Sequence, residues 1–214
     1  MADRGGQPAL LKSASDRLTA DVTAVLYHLS LKGNGAHMIG SCDEVDPASG
    51  VPTCATCGYR TDPDFTNPGF RMRRRRLDLS CCYDGAVIVS DRFRTLYASL
   101  GGSNLRFVDL PKAPGFHHLT CITPVALDYA AMGTQCLRLC TGCGRHLDVV
   151  VCGTLVLAPG AFLAGNELAF ADRYFGSHNE AIPLLVCGEI LAKTMGAAGL
   201  AGIDACEPVA MQQG

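Results

Sequence analysis

The segment that decides the fold reads AVIVSDRFRTLYASLGGSNLRFVDLP and occupies residues 86–111. Its first residues, 86–89, are apolar and typical of a short buried strand. Ser90 is a candidate N-cap for a helix with one apolar face, and a pair of glycines ends that helix. Residues 105–110, LRFVDL, then predict a second strand that stops at a proline. The segment is therefore predicted to fold as strand, helix, strand.

The same order recurs at a constant offset of 97 positions in PLLVCGEILAKTMGAAGLAGIDACEP, residues 183–208. An apolar strand leads into a helix with Met195 on its apolar face, and residues 203–206 predict the returning strand. Cys187 stands in this copy where Ser90 stands in the first. Because the connections are short, each copy is expected to be a β-α-β unit with parallel strands and a right-handed crossover.

Each copy is preceded by a CxxCG motif, CATCG at residues 54–58 and CTGCG at residues 140–144. We therefore predict an α/β or α+β fold of two pseudo-repeated halves, each a CxxCG knuckle followed by a β-α-β unit. The first half is expected to span residues 34–120 and the second residues 121–214. Both are expected to pack into one compact domain.

An amphipathic helix is predicted ahead of the two halves, within residues 1–33. Ser13 or Ser15 is its candidate N-cap, and Gly33 is its candidate terminator. Helical spacing is observed for the apolar residues Leu18, Val22, Val25, Leu26 and Leu29.

The cysteines of the two CxxCG motifs are the candidate metal ligands. A structural zinc ion takes four ligands at the corners of a tetrahedron, and a CxxC turn places two thiolates along one edge. The glycine after each pair lets the turn adopt a positive φ. Two knuckles supply a complete ligand shell, so we predict one structural zinc ion bound by Cys54, Cys57, Cys140 and Cys143.

Other roles for the cysteines stay open at this stage. Eighty-two residues lie between the two cysteine pairs, which need not share one ion; in that case Cys136, His117 or His118 could complete a shell. One or both pairs could also be reduced core thiols or a redox pair, although a redox thiol usually opens a helix after a strand. Cys187 has that position, and we interpret it as a buried core thiol.

Composition narrows the class of protein. Of 214 residues, 48% are hydrophobic and 18% are charged, which excludes disorder as the main description. A formal net charge of −2 gives the molecule no overall field that would attract nucleic acid or an anionic membrane.

The opening residues lack the pattern of a secretory signal, and no apolar run reaches the roughly 20 residues of a membrane span. We therefore expect a cytoplasmic protein without membrane association, whose twelve cysteines are reduced or bound to metal.

A basic run, RMRRRR at residues 71–76, is a weak candidate for partner binding. It places five guanidinium groups in six positions, on Arg71, Arg73, Arg74, Arg75 and Arg76. Such a run suits a phosphate group or an acidic partner. It suits equally a solvated edge strand whose arginines pair with Asp62, Asp64 and Asp78.

The sequence holds no catalytic motif of the GxSxG, Walker, strand-linked GxGxxG or HExxH type. Asp172, His178, Glu180 and Glu189 in and around RYFGSHNE could line a pocket, but such side chains are usually solvated. We therefore do not expect an enzyme.

The combination of motifs resembles the bacterial double-CxxCG-motif family and, more loosely, the immunity proteins of polymorphic toxin systems. The resemblance is carried by CATCG (54–58), CTGCG (140–144), VIVSDRFRTLYASLG (87–101) with FVDLP (107–111), and LLVCGEILAKTMGAAGLAGI (184–203). It implies a cytoplasmic, non-catalytic protein that binds and neutralises a cognate protein toxin, with zinc as a structural staple.

The alternative is a zinc-ribbon protein that binds nucleic acid or acts as a regulator through residues 71–76. That alternative predicts salt-dependent binding to DNA or RNA, which the balanced charge of the chain does not favour. Either function allows a homo-oligomer, because edge strands can pair between chains.

Overall fold

The computed structural model describes residues 25–40 and 47–209. Within these ranges the chain forms ten strands, two α-helices and the short 3-10 helices Pro47–Ser49 and His178–Glu180. The strands and helices are, in chain order, β1 (Leu26–Leu31), β2 (Leu79–Cys81), β3 (Val87–Ser90), α1 (Asp91–Ser99), β4 (Leu105–Asp109), β5 (Phe116–Cys121), β6 (Gln135–Leu139), β7 (His146–Val150), β8 (Leu168–Ser177), β9 (Ile182–Gly188), α2 (Glu189–Ala197) and β10 (Ile203–Pro208).

The strands form two sheets whose ladders are antiparallel. The larger sheet has the order β10-β1-β9-β8-β7-β6, and the smaller has the order β2-β3-β5-β4. An isolated bridge between Gly33 and Cys81 joins the end of β1 to β2. The predicted mixture of helices and strands is confirmed, with sheet predominating.

Both helices lie against the sheets through one apolar face. Ser90 is the N-cap of α1, and its hydroxyl oxygen accepts a hydrogen bond from the amide of Phe93. Helix α1 buries Phe93 and Tyr97, and α2 buries Leu191 and Met195, all in one core cluster with residues of both sheets. Each helix has nine residues, and within the described part of the chain no helix is long and apolar enough to cross a membrane.

The predicted pair of pseudo-repeated halves is not supported. Strands β3 and β4, which flank α1, both pair with β5, which lies between them. Likewise β9 and β10 are separated by β1, which comes from the start of the described chain. Neither segment therefore forms a β-α-β unit of adjacent parallel strands. In each segment the two strands pair with a third strand that lies between them. The boundaries predicted at residues 34–120 and 121–214 stay predictions.

The helix predicted within residues 1–33 is wrong for its last part, where the chain forms β1. Leu26 and Leu29 are three positions apart and so point to opposite faces of the sheet, where each joins a different core cluster. A strand buried on both faces loses the alternation of polar and apolar residues, and its leucines then imitate helical spacing. Residues 1–24 lie outside the described residues.

Candidate metal centre

The four cysteines of the CxxCG motifs meet in one cluster. Their sulfur atoms all lie within 4.8 Å of one another. The distances across the two motifs are 4.0 Å between Cys54 and Cys140 and 3.9 Å between Cys57 and Cys143. A tetrahedral ion with bonds of about 2.3 Å to sulfur requires sulfur pairs about 3.8 Å apart, so the cluster has the dimensions of a metal site. The structure thus brings together all four predicted ligands.

The two knuckles share one backbone geometry. In the first, the amide of Cys54 donates to the carbonyl of Tyr59, and the amide of Gly58 donates to the carbonyl of Cys54, both at 2.8 Å. In the second, the same two bonds join Cys140 to Arg145 at 2.9 Å and Gly144 to Cys140 at 2.8 Å. Both glycines have a positive φ, 71° and 69°, which closes each turn at no cost in side-chain strain.

The knuckles also touch each other through the residues between the cysteines. A methyl group built on Gly142 lies 2.3 Å from the hydroxyl oxygen of Thr56 and 3.4 Å from the sulfur of Cys54. Position 142 therefore has room only for glycine while the knuckles are in contact.

Backbone amides prepare part of the cluster for metal. The amides of Cys57 and Thr56 hydrogen-bond the sulfur of Cys54 and lower the pKa of that thiol to about 6. The amide of Cys143 acts in the same way on Cys140, whose pKa is also lowered. Burial raises the pKa of Cys57 to about 12. The first cysteine of each knuckle is thus the one that the local backbone favours as a thiolate.

A second layer of contacts fixes the first knuckle to the turn between β8 and β9. The ring Nε2–H of His178 donates to the carbonyl of Cys57 at 2.7 Å. The side-chain amide of Asn179 donates to the carbonyl of Gly58 at 3.1 Å, and its oxygen accepts from the amide of Arg60 at 2.9 Å. Sequence reasoning singled out His178 only as a pocket residue and missed Asn179, because nothing local marks a contact across 121 positions.

Arg145 links the second knuckle to the first. Its guanidinium donates to the carbonyls of Arg60 at 3.0 Å and Thr61 at 2.9 Å, and it lies over the ring of Tyr59. Three separate stretches of chain, the two knuckles and the turn after β8, are therefore held around the sulfur cluster.

The alternative ligands considered from the sequence are held elsewhere. His117 contacts the carboxylates of Asp91 at 2.7 Å and Asp109 at 2.8 Å. His118 contacts the hydroxyl of Thr66 at 2.7 Å, and Cys136 accepts from Arg173 at 3.3 Å. Among the described residues, the group able to hold a metal ion consists of the four motif cysteines.

The remaining described cysteines are free thiols. Cys187 is fully buried in β9, and burial strongly raises its pKa, as its interpretation as a core thiol requires. It does not take over the capping role of Ser90, because α2 begins after Gly188.

The basic run forms a loop and not an edge strand. Arg71, Arg73, Arg74, Arg75 and Arg76 are exposed, whereas Met72 between them is buried. Asp78 pairs instead with Arg92, at 3.0 Å. None of the ion pairs found within residues 25–40 and 47–209 involves the run.

A cleft of about 460 Å³ lies beside the second knuckle and includes Asp172 of the predicted polar stretch. The carboxylate of Asp172 accepts a hydrogen bond from the hydroxyl of Tyr129, whose ring Arg173 covers at 4.4 Å. These polar groups stabilise the wall of the cleft through contacts within the protein.

No protein-family model matches the chain, and no curated protein matches it. The resemblance to the double-CxxCG-motif family therefore rests on the motifs themselves.

Proposed function

We propose that this protein binds and neutralises a cognate protein toxin, and that one structural zinc ion stabilises its fold. The observation that carries the zinc site of this proposal is the cluster of four thiols, Cys54, Cys57, Cys140 and Cys143. Four protein ligands complete the coordination shell of a tetrahedral ion and leave no position for water or substrate. This is the arrangement of a structural zinc site and not of a catalytic one.

Zinc is the metal that fits this donor set and this role. Four thiolates in a tetrahedron select zinc or iron. In a site that serves only to hold chain segments together, a metal without redox chemistry is the simpler choice. The ion would join the segments around Cys54 and Cys140, which are 86 positions apart. The turn at His178 is held to the first of these segments by its hydrogen bond to the carbonyl of Cys57.

The inhibitory role draws support from two directions. The motif combination resembles that of immunity proteins, and an inhibitor needs a stable scaffold with a complementary surface and no reactive group. A metal-stapled pair of sheets provides such a scaffold.

The test is to capture the tagged full chain from its native host, wash at high salt and identify what co-elutes in equal amount. We expect one protein whose terminal domain stops growth when expressed alone and is tolerated when this chain is co-expressed. The C54S/C143S double variant should lose the protection, and C152S, which changes an exposed cysteine outside the cluster, should keep it. A captured partner whose toxicity is unchanged by co-expression contradicts the proposal.

The five exposed arginines favour a second candidate function, that of a zinc-ribbon protein binding nucleic acid. It differs from the first in its partner and keeps the same zinc site. Binding of DNA or RNA that weakens steeply with salt and vanishes when the arginines are replaced would support it.

A further inference from the structure

We propose that the loop of residues 70–77, hereafter the arginine loop, is a preformed binding surface for an acidic face of a folded protein. The inference rests on the proposed function and names the chemistry of the partner and the residues that meet it.

Two buried side chains hold the arginine loop against the core of the protein. Phe70 is 3% exposed and Met72 is 7% exposed, and both pack in a core cluster with Met38, Ile39 and Ile88. The two apolar side chains fix the path of the backbone on either side of Arg71. Arg71 therefore projects from a backbone held on both sides, so that little conformational entropy of the backbone is lost there on binding.

Two of the guanidinium groups are also oriented. Arg74 donates to the carbonyl of Gly33 at 3.1 Å, and Arg75 donates to the carbonyl of Lys112 at 3.2 Å. A guanidinium has five N–H donors in a planar fork, so one bond to a carbonyl leaves the rest for a carboxylate. Orientation by neutral carbonyls also leaves the positive charge uncompensated.

The nearest acidic residue in sequence does not neutralise the loop. The carboxylate of Asp78 accepts from the hydroxyl of Ser90 at 2.8 Å, from Arg92 at 3.0 Å and from the amide of Ala201 at 2.9 Å. It is thus committed to holding the start of α1 to the turn between α2 and β10. Within the described part of the chain, the ion pairs leave the arginine loop unpaired.

The charge of the rest of the molecule favours a folded acidic protein over nucleic acid. The net charge is −2, and the five arginines contribute +5, so the remainder of the chain carries −7. An extended polyanion would reach beyond the loop and meet this repulsion, whereas a compact acidic patch meets the loop alone. Nucleic-acid binding by such a loop also gains from exposed aromatic rings, and the aromatic residue of the loop, Phe70, is buried.

The experiment uses fluorescence anisotropy with the full zinc-loaded chain and three labelled probes: a poly-glutamate peptide short enough to contact the arginine loop alone, and single-stranded and duplex DNA long enough to extend beyond the loop. We expect poly-glutamate to bind more tightly than either DNA, with an affinity that falls as salt is raised. Replacing Arg71, Arg73, Arg74, Arg75 and Arg76 by Gln should weaken poly-glutamate binding by about tenfold or more. The matched variant with five lysines keeps the charge and loses the planar fork, so its affinity for poly-glutamate should lie between those of the wild type and the Gln variant.

Unchanged zinc content and circular dichroism show that the Gln variant is folded, and R94Q/R106Q, which removes two arginines outside the loop, should bind poly-glutamate as the wild type does. Equal poly-glutamate binding by the wild type and the Gln variant overturns the proposal. Tighter binding of DNA overturns it in favour of the nucleic-acid function.

The chain has an acidic stretch of its own, Asp43, Glu44 and Asp46, outside the described residues. If poly-glutamate binds only when these three are changed to amides, the arginine loop is the binding partner of that stretch of the same chain, and the proposal is overturned.

Capture from the host separates this inference from the proposed function. If the Gln variant still captures the toxin, the role of the arginine loop is contradicted and the proposed function stands. If the wild type captures no toxin, the proposed function itself is contradicted.

Discussion

The sulfur atoms of Cys54 and Cys140 lie 4.0 Å apart although the two residues are 86 positions apart in the sequence. Each is the first cysteine of its knuckle, and the amide of each donates to the carbonyl five positions later, on Tyr59 and Arg145. Because thiolates this close repel one another, a cation between them offsets that repulsion. Metal binding and folding are therefore expected to be linked, since the unfolded chain cannot hold the four sulfurs together.

Metal content is the first prediction. Protein purified without chelator should contain about one zinc ion per chain and no visible absorption band, because zinc, unlike tetrahedral iron bound to four thiolates, is colourless. Replacement of Cys54 or Cys143 by Ser should remove the metal and lower the melting temperature sharply. Elemental analysis and thermal unfolding measure the two effects.

Cys136→Ser is the matched control for metal content, since it changes a half-buried cysteine outside the cluster and should leave zinc and stability near the wild-type values. A wild type that is folded and metal-free contradicts the zinc site. A coloured protein that contains iron would confirm a metal site at the four cysteines and would show that its metal is not zinc.

Gly142→Ala tests the contact between the knuckles. The added methyl group would overlap Thr56, so we expect a loss of about 1–3 kcal/mol in unfolding free energy, the usual cost of overpacking. A weaker zinc affinity should accompany it. The double variant G142A/T56G removes the overlapping atoms and should recover most of both. Gly196→Ala, at a helix position with open space, is the control and should be neutral or slightly stabilising. A G142A protein with wild-type zinc affinity would show that the knuckles do not press together there.

Asn179→Ala tests the contacts behind the ligands. It removes the bond to the carbonyl of Gly58 and leaves the amide of Arg60 without its acceptor. Loss of such outer contacts typically costs 10-fold to 100-fold in metal affinity, and we expect a change of about that size in a zinc competition titration. Asn166→Ala removes a comparable bond to the carbonyl of Leu100, in which no residue of either knuckle takes part. An equal effect of the two variants on zinc affinity would assign Asn179 to general stability.

The part of the site that the sequence predicts is the part encoded locally. A CxxCG motif and the residue after it contain both hydrogen bonds of the turn and its positive-φ glycine within six residues, so both knuckles could be recognised. The cap at Ser90 and the apolar face of α1 are local in the same sense. The contacts of His178 and Asn179 join positions 121 apart, and no local pattern announces them.

The errors in the predicted fold have a related cause. Helical spacing of Leu26 and Leu29 is a local signal, but the buried position of β1 between β9 and β10 is a tertiary one, and it decides the conformation. The segments after the knuckles resemble each other in sequence. The strand that lies between the two strands of each segment, β5 in the first and β1 in the second, comes from outside that segment. Pattern comparison finds the shared order of elements, whereas strand pairing depends on distant partners.

His118 makes the stability depend on pH. Burial lowers its pKa to about 4, and the nearby charge of Arg60 acts in the same direction. In the unfolded chain its pKa returns to 6.5, so the unfolded state binds a proton more readily than the folded state. Below pH 6.5 this difference destabilises the folded protein, by up to about 1.4 kcal/mol per pH unit until about pH 4, and above pH 6.5 it has no effect.

His118→Gln removes this titration and keeps a polar partner for Thr66. We expect the unfolding free energy of the variant to fall less steeply than that of the wild type between pH 6.5 and about 4, with parallel curves above pH 6.5. Loss of zinc in acid affects both proteins alike because both keep the four cysteines, so the difference between the curves isolates the histidine. Parallel curves for H118Q and wild type over the whole range would mean that His118 is accessible to protons in the folded state.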